Sequence, residues 1–345
     1  MLWRLPVPVC SLVSFNSRRH ISFKSADPLK ILFCGSDEFS IASLRALNKA
    51  KRDHARLIES IDVVHRPGKP TGRGLKVIRE VPIKQVAQEL HLKTHEIDTF
   101  TGWTPPVSIN LIIAVSFGLF VPPRVLNGVK YGGLNVHPSL LPDLGGPAPI
   151  HHTLLKQRSK TGVSIQTLHP QHFDRGMVIA QTPAPGLSVP ACATPSDLIA
   201  SLGVYGGEML VESLKAHTFV PPLEDAGWYG TSPGPIEYAR KINKVDSYLD
   251  FSTATAQDIL VRHRVLGNLW CLPPQMSSVE RIILNEIESI GVADTMGRKP
   301  GLFIPDGSSV VAIQTVDGKL LRVKSCTISG GKKQHGNGQL IRLLA

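Results

Sequence analysis

The sequence predicts an α/β chain: a Rossmann-like, doubly wound, mainly parallel sheet followed by a small OB-like (oligonucleotide-binding-type) β-barrel. Three observations predict it. Short apolar runs alternate with helix-like segments from Lys30 to about residue 215, a proline- and glycine-rich stretch over residues 220–235 interrupts them, and short strands separated by Asp-Gly turns follow. With 345 residues, 42% hydrophobic and 19% charged, the chain is long enough for two domains with their own cores, which excludes disordered and fibrous classes.

Residues 31–34 read as a buried strand, and Gly35-Ser36-Asp37 leads into a helix with Ile41, Leu44 and Leu47 on one face. A second strand follows at 61–64, then a helix opened by Pro82 with Ile83, Val86 and Leu90. Leu111–Val115 is a continuous apolar run, the pattern of a strand buried on both faces of a parallel sheet. Gly133–His137 is the next strand, with a helix over about 147–157. Thr194-Pro195-Ser196-Asp197 starts a further helix, with a capping hydroxyl, a proline at the first helical position and an acid in the first turn. Leu198, Leu202, Leu210 and Leu214 continue it and close the first domain. Beyond the linker a helix over Ala256–Leu266 precedes strands at 280–284, 301–304, 309–316 and 320–323, with turns at Asp306-Gly307 and Asp317-Gly318. The expected organisation is a leader over 1–26, a catalytic domain over 27–219, a linker over 220–236 and a C-terminal barrel over 237–345.

Composition narrows the function. The first 26 residues hold Arg4, Arg18, Arg19, Lys24 and five serines with no acid, which is the composition of a mitochondrial presequence. Pro6 and Pro8 break the apolar run that a secretory signal needs, so the mitochondrial matrix is the expected location. The net charge of +11 stays positive without this segment and points to an anionic partner. No stretch reaches the roughly 18 to 20 apolar residues of a membrane span, so a soluble monomer without a membrane partner is expected. Cys10, Cys34, Cys192, Cys271 and Cys326 form no CxxC pair, which argues against a disulfide framework or a cysteine zinc site. The first turn has only Gly35 where a dinucleotide site needs GxGxxG, and no P-loop or GxSxG elbow appears. His137, His151, His152, His169 and His172 lack metal-ligand spacing, so no metal is expected.

The informative stretch runs from Gly132 to Ile150. Asn135 and His137 alternate at the carboxyl end of a strand, where open α/β sheets place their ligand crevice. Phe173-Asp174-Arg175-Gly176 lies in the connection between residues 164–168 and 177–181 and is free to bring a carboxylate back to that crevice. Asn, His and Asp without a nucleophilic Ser or Cys suit direct transfer onto a nucleophile carried by the substrate. Taken singly, each is equally a polar strand end or a turn aspartate.

The segment from Asn135 to Pro142, with Gly146-Pro147-Ala148-Pro149-Ile150, resembles the motif of the folate-dependent formyltransferases. Within that superfamily the chain is most similar to the methionyl-tRNA formyltransferases. Ile31 to Phe39, the loop from Arg66 to Lys76, Phe173 to Gly176 and Gly330-Gly331-Lys332-Lys333 extend the likeness over nearly everything after residue 28. The resemblance implies Asn135, His137 and Asp174 as the catalytic constellation, and Ser139, Leu140, Leu141 and Pro142 as a loop bordering the folate site. It further implies 10-formyltetrahydrofolate as formyl donor and the α-amine of initiator methionyl-tRNA as acceptor. One position departs: where the family usually has an arginine after the Ser-Leu-Leu-Pro loop, this chain reads Asp143-Leu144-Gly145-Gly146. For the tRNA, Arg66, Lys69, Arg73 and Lys76 form an acid-free basic loop that is expected to order on binding. Lys324, Lys332 and Lys333 lie in a C-terminal stretch with no Asp or Glu after Asp317. The same catalytic three serve another acceptor, such as a purine precursor, an amino-sugar nucleotide or water. A non-catalytic RNA-binding relative is the alternative from another class.

Overall fold

The computed structural model describes residues 24–105, 108–272, 281–291, 298–328 and 336–344. In chain order the first part contains β1 (Leu29–Gly35), α1 (Glu38–Asp53), β2 (Ile58–His65), β3 (Lys69–Thr71), β4 (Val77–Arg79), α2 (Pro82–Glu89), β5 (Lys93–Glu96), β6 (Leu111–Val115), α3 (Pro123–Leu126), β7 (Gly133–His137) and α4 (Pro149–Leu155). It continues with β8 (Lys160–Thr161), β9 (Ser164–Thr167), β10 (Val178–Gln181), β11 (Leu187–Ser188) and α5 (Pro195–Lys215). The second part contains α6 (Ala256–Leu266), β12 (Leu269–Cys271), β13 (Ile282–Gly291), β14 (Gly301–Phe303), β15 (Val311–Gln314), β16 (Leu320–Ile328) and α7 (Gly336–Leu344).

Seven strands form the main sheet in the order β10-β9-β7-β6-β1-β2-β5. The five from β7 to β5 are parallel, whereas β9 runs antiparallel to β7 and to β10. The chain builds outward from β1 through β2 to β5, then returns to the other side of β1 for β6 and β7. That reversal between β1 and β6 opens a crevice at their carboxyl ends. The buried runs of β1 and β6 serve two cores at once because alternate side chains point to opposite faces. Ile31, Phe33, Leu111 and Ile113 join residues of α1, α2 and α5 in one core. Leu32, Cys34, Ile112 and Ala114 join Val125 and Leu126 of α3 with Ile97, Phe100, Phe117 and Val121 in the other. Helix starts follow their caps: Asp37 accepts from the Ser40 N–H at α1, and Thr194 and Asp197 form a reciprocal capping box at α5.

The second part is a curled half-barrel of OB type, a five-stranded antiparallel sheet in the order β12-β13-β16-β15-β14. Register shifts in the long β13–β16 pair, between Leu284 and Glu286 and again between Ser289 and Gly291, supply its curl. Asp317 accepts from the Ala256 N–H and the Thr315 hydroxyl, tying the β15–β16 turn to the start of α6. Those bonds, the Thr315 hydroxyl first, hold its carboxyl down at about 2. Val261 and Val265 of α6 pack into the first core rather than the second.

Two segments named from the sequence take definite form. The basic loop at 66–76 is a two-stranded hairpin, β3 paired antiparallel with β4, and its Leu75, Val77 and Ile78 are exposed. From within the proline-rich stretch onward, residues 226–240 lie along the catalytic part as a strap. Trp228 Nε1 donates to the Thr182 carbonyl, the Tyr229 N–H to Gln181, and the Ala226 N–H to the Val178 carbonyl. Residues 1–23 of the expected presequence lie outside the described residues; Lys24 donates to the Pro222 carbonyl at 2.8 Å.

Candidate active site

β7 ends beside β6, so the polar side chains at its end emerge at the crevice. Asn135 is fixed from two sides: its Nδ2 donates to the Ala114 carbonyl at 2.8 Å, and its Oδ1 accepts from Gln166 Nε2 at 3.1 Å. An amide carries two N–H donors, so one hydrogen of Asn135 stays free for a ligand. His137 is buried, with Nε2 3.0 Å from the Leu144 carbonyl and Nδ1 3.4 Å from Asp174 Oδ1.

Asp174 is placed by backbone geometry as much as by its neighbours. Its φ of 51° is left-handed, a region that aspartate tolerates better than most residues, and it turns the chain after β9 back toward β7. Gly176 then passes so close to Thr167 that an added Cβ would stand 1.7 Å from the Thr167 carbonyl oxygen, so only glycine fits. The carboxylate accepts from Gln166 Nε2 at 2.9 Å on Oδ1 and from the Gly146 N–H at 2.8 Å on Oδ2. Asn135, His137 and Asp174 therefore meet as the motif implied.

Gln166, which the sequence pattern does not reveal, organises all of this. It lies opposite Asn135 in the antiparallel β7–β9 ladder, is 2% exposed, and bonds Asn135, Asp174 and the Gly176 N–H. Its only trace in the sequence is a glutamine between an isoleucine and a threonine in a strand, which no local rule ties to a site.

The Ser139 to Pro142 loop divides in two. Ser139, Leu140 and Leu141 are buried in the protein, Ser139 Oγ donating to the Asp143 carbonyl at 2.7 Å, so their side chains support the loop; Pro142 is exposed. The strap holds this loop from outside. The Leu144 N–H donates to the Glu237 carbonyl, the Ala239 N–H to Gly145, the Ala148 N–H to Ala239, and the Glu237 N–H to Asp143 Oδ1. Burial pushes the Asp143 carboxyl up, while the Glu237 N–H and the nearby Arg158 guanidinium hold it down. Gly146, at φ 125°, is pressed on by the strap, and a Cβ there would meet the Ala239 carbonyl oxygen at 2.6 Å. Gly145, where the family's arginine is missing, has room: an added Cβ would make ordinary contacts at 3.6 Å with Asp174 and Leu141.

The basic residues divide as well. Lys69 and Lys76 are exposed on the hairpin and form no ion pair among the described residues. Arg66 pairs with Asp98 at 2.6 Å, and Lys324 pairs with Glu288 at 2.7 Å, carboxylates that the fold supplies from outside each basic stretch. Lys332, Lys333 and the Arg73 side chain lie outside the described residues. Among the described residues no group of three or more His, Cys, Asp or Glu could hold a metal ion. Burial raises the Cys34 thiol and pushes Cys271 and Cys326 up to about 12 and about 11, leaving them poor nucleophiles. No helix among the described residues is long and apolar enough to cross a membrane.

Comparison with known proteins agrees with this geometry. The formyl transferase family model matches residues 29–213. The mitochondrial methionyl-tRNA formyltransferase of Saccharomyces cerevisiae is 31% identical over an alignment covering 90% of this chain and 87% of the relative. The methionyl-tRNA formyltransferase of Chromohalobacter salexigens is 30% identical, covering 88% and 90%. Among solved structures, a Helicobacter canadensis N-formyltransferase complexed with folinic acid and dTDP-3-aminofucose shares the fold at TM-score 0.53 and 15% identity, covering 86% of this chain and 98% of that one. With the polar constellation assembled at the switch point and relatives aligned along nearly its whole length, the chain belongs to the folate-dependent formyltransferase superfamily.

Proposed function

We propose that the protein transfers the formyl group of 10-formyltetrahydrofolate to the α-amine of initiator methionyl-tRNA, giving N-formylmethionyl-tRNA for translation initiation in the mitochondrial matrix. The observation that carries this reading is the convergence of Asn135, His137 and Asp174 in a chain whose mitochondrial methionyl-tRNA formyltransferase relative aligns over 90% of it, well into the half-barrel. The free cations Lys69 and Lys76 on a projecting hairpin support a polyanionic acceptor.

Bound folate supplies the formyl group: a bond forms from its carbon to the methionine amine, and the bond to the folate nitrogen breaks. The free N–H of Asn135 is the donor left for the formyl oxygen as it gains negative charge. His137 joins it by exchanging the Leu144 carbonyl for that oxygen at Nε2, while Asp174 lies at Nδ1 on the other edge of the ring. The Asp174 carboxylate is also the base at hand: the methionine ammonium gives up one proton to it or to water before the free amine attacks, and the proton that this nitrogen sheds after attack is relayed, through Asp174 or water, to the folate nitrogen as it leaves. Gln166 keeps the amide and the carboxylate from turning away.

The test incubates the purified protein and 10-formyltetrahydrofolate with methionyl-tRNA, with uncharged tRNA plus free methionine, with a dTDP-amino sugar, or with no acceptor. Formyl incorporation into the charged tRNA alone is the expected result. Incorporation into the amino sugar, or folate consumption without acceptor, replaces the reading with the corresponding alternative.

A further inference from the structure

Two aromatic rings stand exposed on the rim of the site, and the chemistry above uses neither. Tyr238 is 69% exposed and Phe173 61%. Tyr238 belongs to the strap and runs parallel beside Gly145. Its Cε2 is 2.8 Å from where a Cβ of Gly146 would be, and the Gly146 N–H is bonded to Asp174. The ring thus lies one residue from the catalytic carboxylate. Its backbone is held on both sides, through the Glu237 carbonyl and the Ala239 N–H, and its hydroxyl has no partner among the described residues. Phe173, next to Asp174 in the chain, is braced edge-on by Phe120 at a centroid separation of 5.3 Å. Beside Tyr238, Gly145 contributes no side chain.

We propose that Tyr238 is a stacking platform for the terminal base of the acceptor tRNA; this rests on the methionyl-tRNA reading above. Once the amine is at Asn135, His137 and Asp174, only the aminoacyl ester separates it from the terminal ribose, so the terminal base must come to rest on this rim. Unpaired nucleotides are held there by stacking on aromatic faces, since every base has a π-face to offer. A ring on a backbone already fixed by hydrogen bonds loses little freedom on binding. The missing arginine at Gly145 takes away a competing planar group and leaves the stack to tyrosine.

The test compares Tyr238→Phe with Tyr238→Leu in the full-length protein, measuring KM for methionyl-tRNA, KM for 10-formyltetrahydrofolate and the salt dependence of each. Phenylalanine is expected to stay within about twofold of the parent. Leucine, which keeps apolar bulk but cannot stack, is expected to raise the KM for tRNA about ten- to a hundredfold at every salt concentration, with the donor KM unchanged. Equal behaviour of the two variants overturns the proposal, and a matching loss of donor use in both assigns Tyr238 to holding Gly146 instead, which also overturns it. A parent protein that formylates no methionyl-tRNA sinks the functional reading on its own, before either variant is made.

Discussion

The loop from Ser139 to Gly146 and the β3–β4 hairpin are both short segments aimed at a ligand, and the protein builds them in opposite ways. The loop is held by β9, by Asp174 and by the strap, so that its carbonyl at Leu144 and its N–H at Gly146 are in place before any substrate arrives. The hairpin has its own three-residue ladder, leaves Leu75, Val77 and Ile78 exposed, and keeps Lys69 and Lys76 unpaired among the described residues. Chemistry gains from a constellation whose backbone is already fixed when the substrate arrives, so that little reorganisation is left for the reaction. Capture of a large polyanion gains from free charge and from a segment that can adapt to its partner.

Substitutions on the two segments should separate these roles, beginning with the largest effect. Asp174→Asn keeps the size of the side chain but puts an amide donor where one carboxylate oxygen accepted, so either the Gly146 or the Gln166 bond is lost along with the proton acceptor; turnover is expected to fall at least ~10²- to 10³-fold while tRNA binding by filter assay stays unchanged. Full activity in this variant removes Asp174 from the mechanism. Gly146→Ala forces a Cβ against the strap in left-handed backbone, and should cost ~2 to 3 kcal/mol in denaturant unfolding together with most of the turnover. Gln166→Leu keeps the volume of a buried side chain while freeing Asn135 and Asp174 to rotate. About a tenfold loss in kcat with the KM of both substrates unchanged is expected, and an equal change in KM would show that Gln166 shapes binding instead. On the hairpin, Lys69→Ala with Lys76→Ala should raise the KM for tRNA severalfold, leave kcat alone and flatten its salt dependence by about one unit of slope for each phosphate no longer neutralised. Gly145→Arg has the smallest expected effect on the fold, because its Cβ meets only ordinary contacts, so unfolding should stay within ~0.5 kcal/mol. A larger destabilisation there would mean that the loop has no slack even where the structure leaves room.

Much of this was legible in the sequence, and what was not shares a cause. The runs in β1 and β6 and the Thr194–Asp197 cap announced themselves because burial on two faces and capping are local demands. β5, Lys-Thr-His-Glu, has no apolar pattern, because an edge strand needs little. Gln166 acquires its role only when β9 turns antiparallel to β7, and the pairings of Arg66 with Asp98 and Lys324 with Glu288 span strands or tens of residues. A run that is acid-free along the chain can still be neutralised across it. The motif residues were found through their likeness to a family; the partners that hold them still were visible only in three dimensions.

The strap changes what counts as one working unit. A chain ending after α5 would contain the whole seven-stranded sheet and all three motif residues, and by composition it would pass for a finished domain. It would lack the segment that supports Asp143, Leu144, Gly145 and Ala148 from outside. The end of the sheet's own elements and the boundary of competence therefore lie in different places, some two dozen residues apart. Exchange of the C-terminal half-barrel between relatives should succeed when the junction falls after Arg240 and fail when it falls at Phe219, although the second site is the one that looks like a seam.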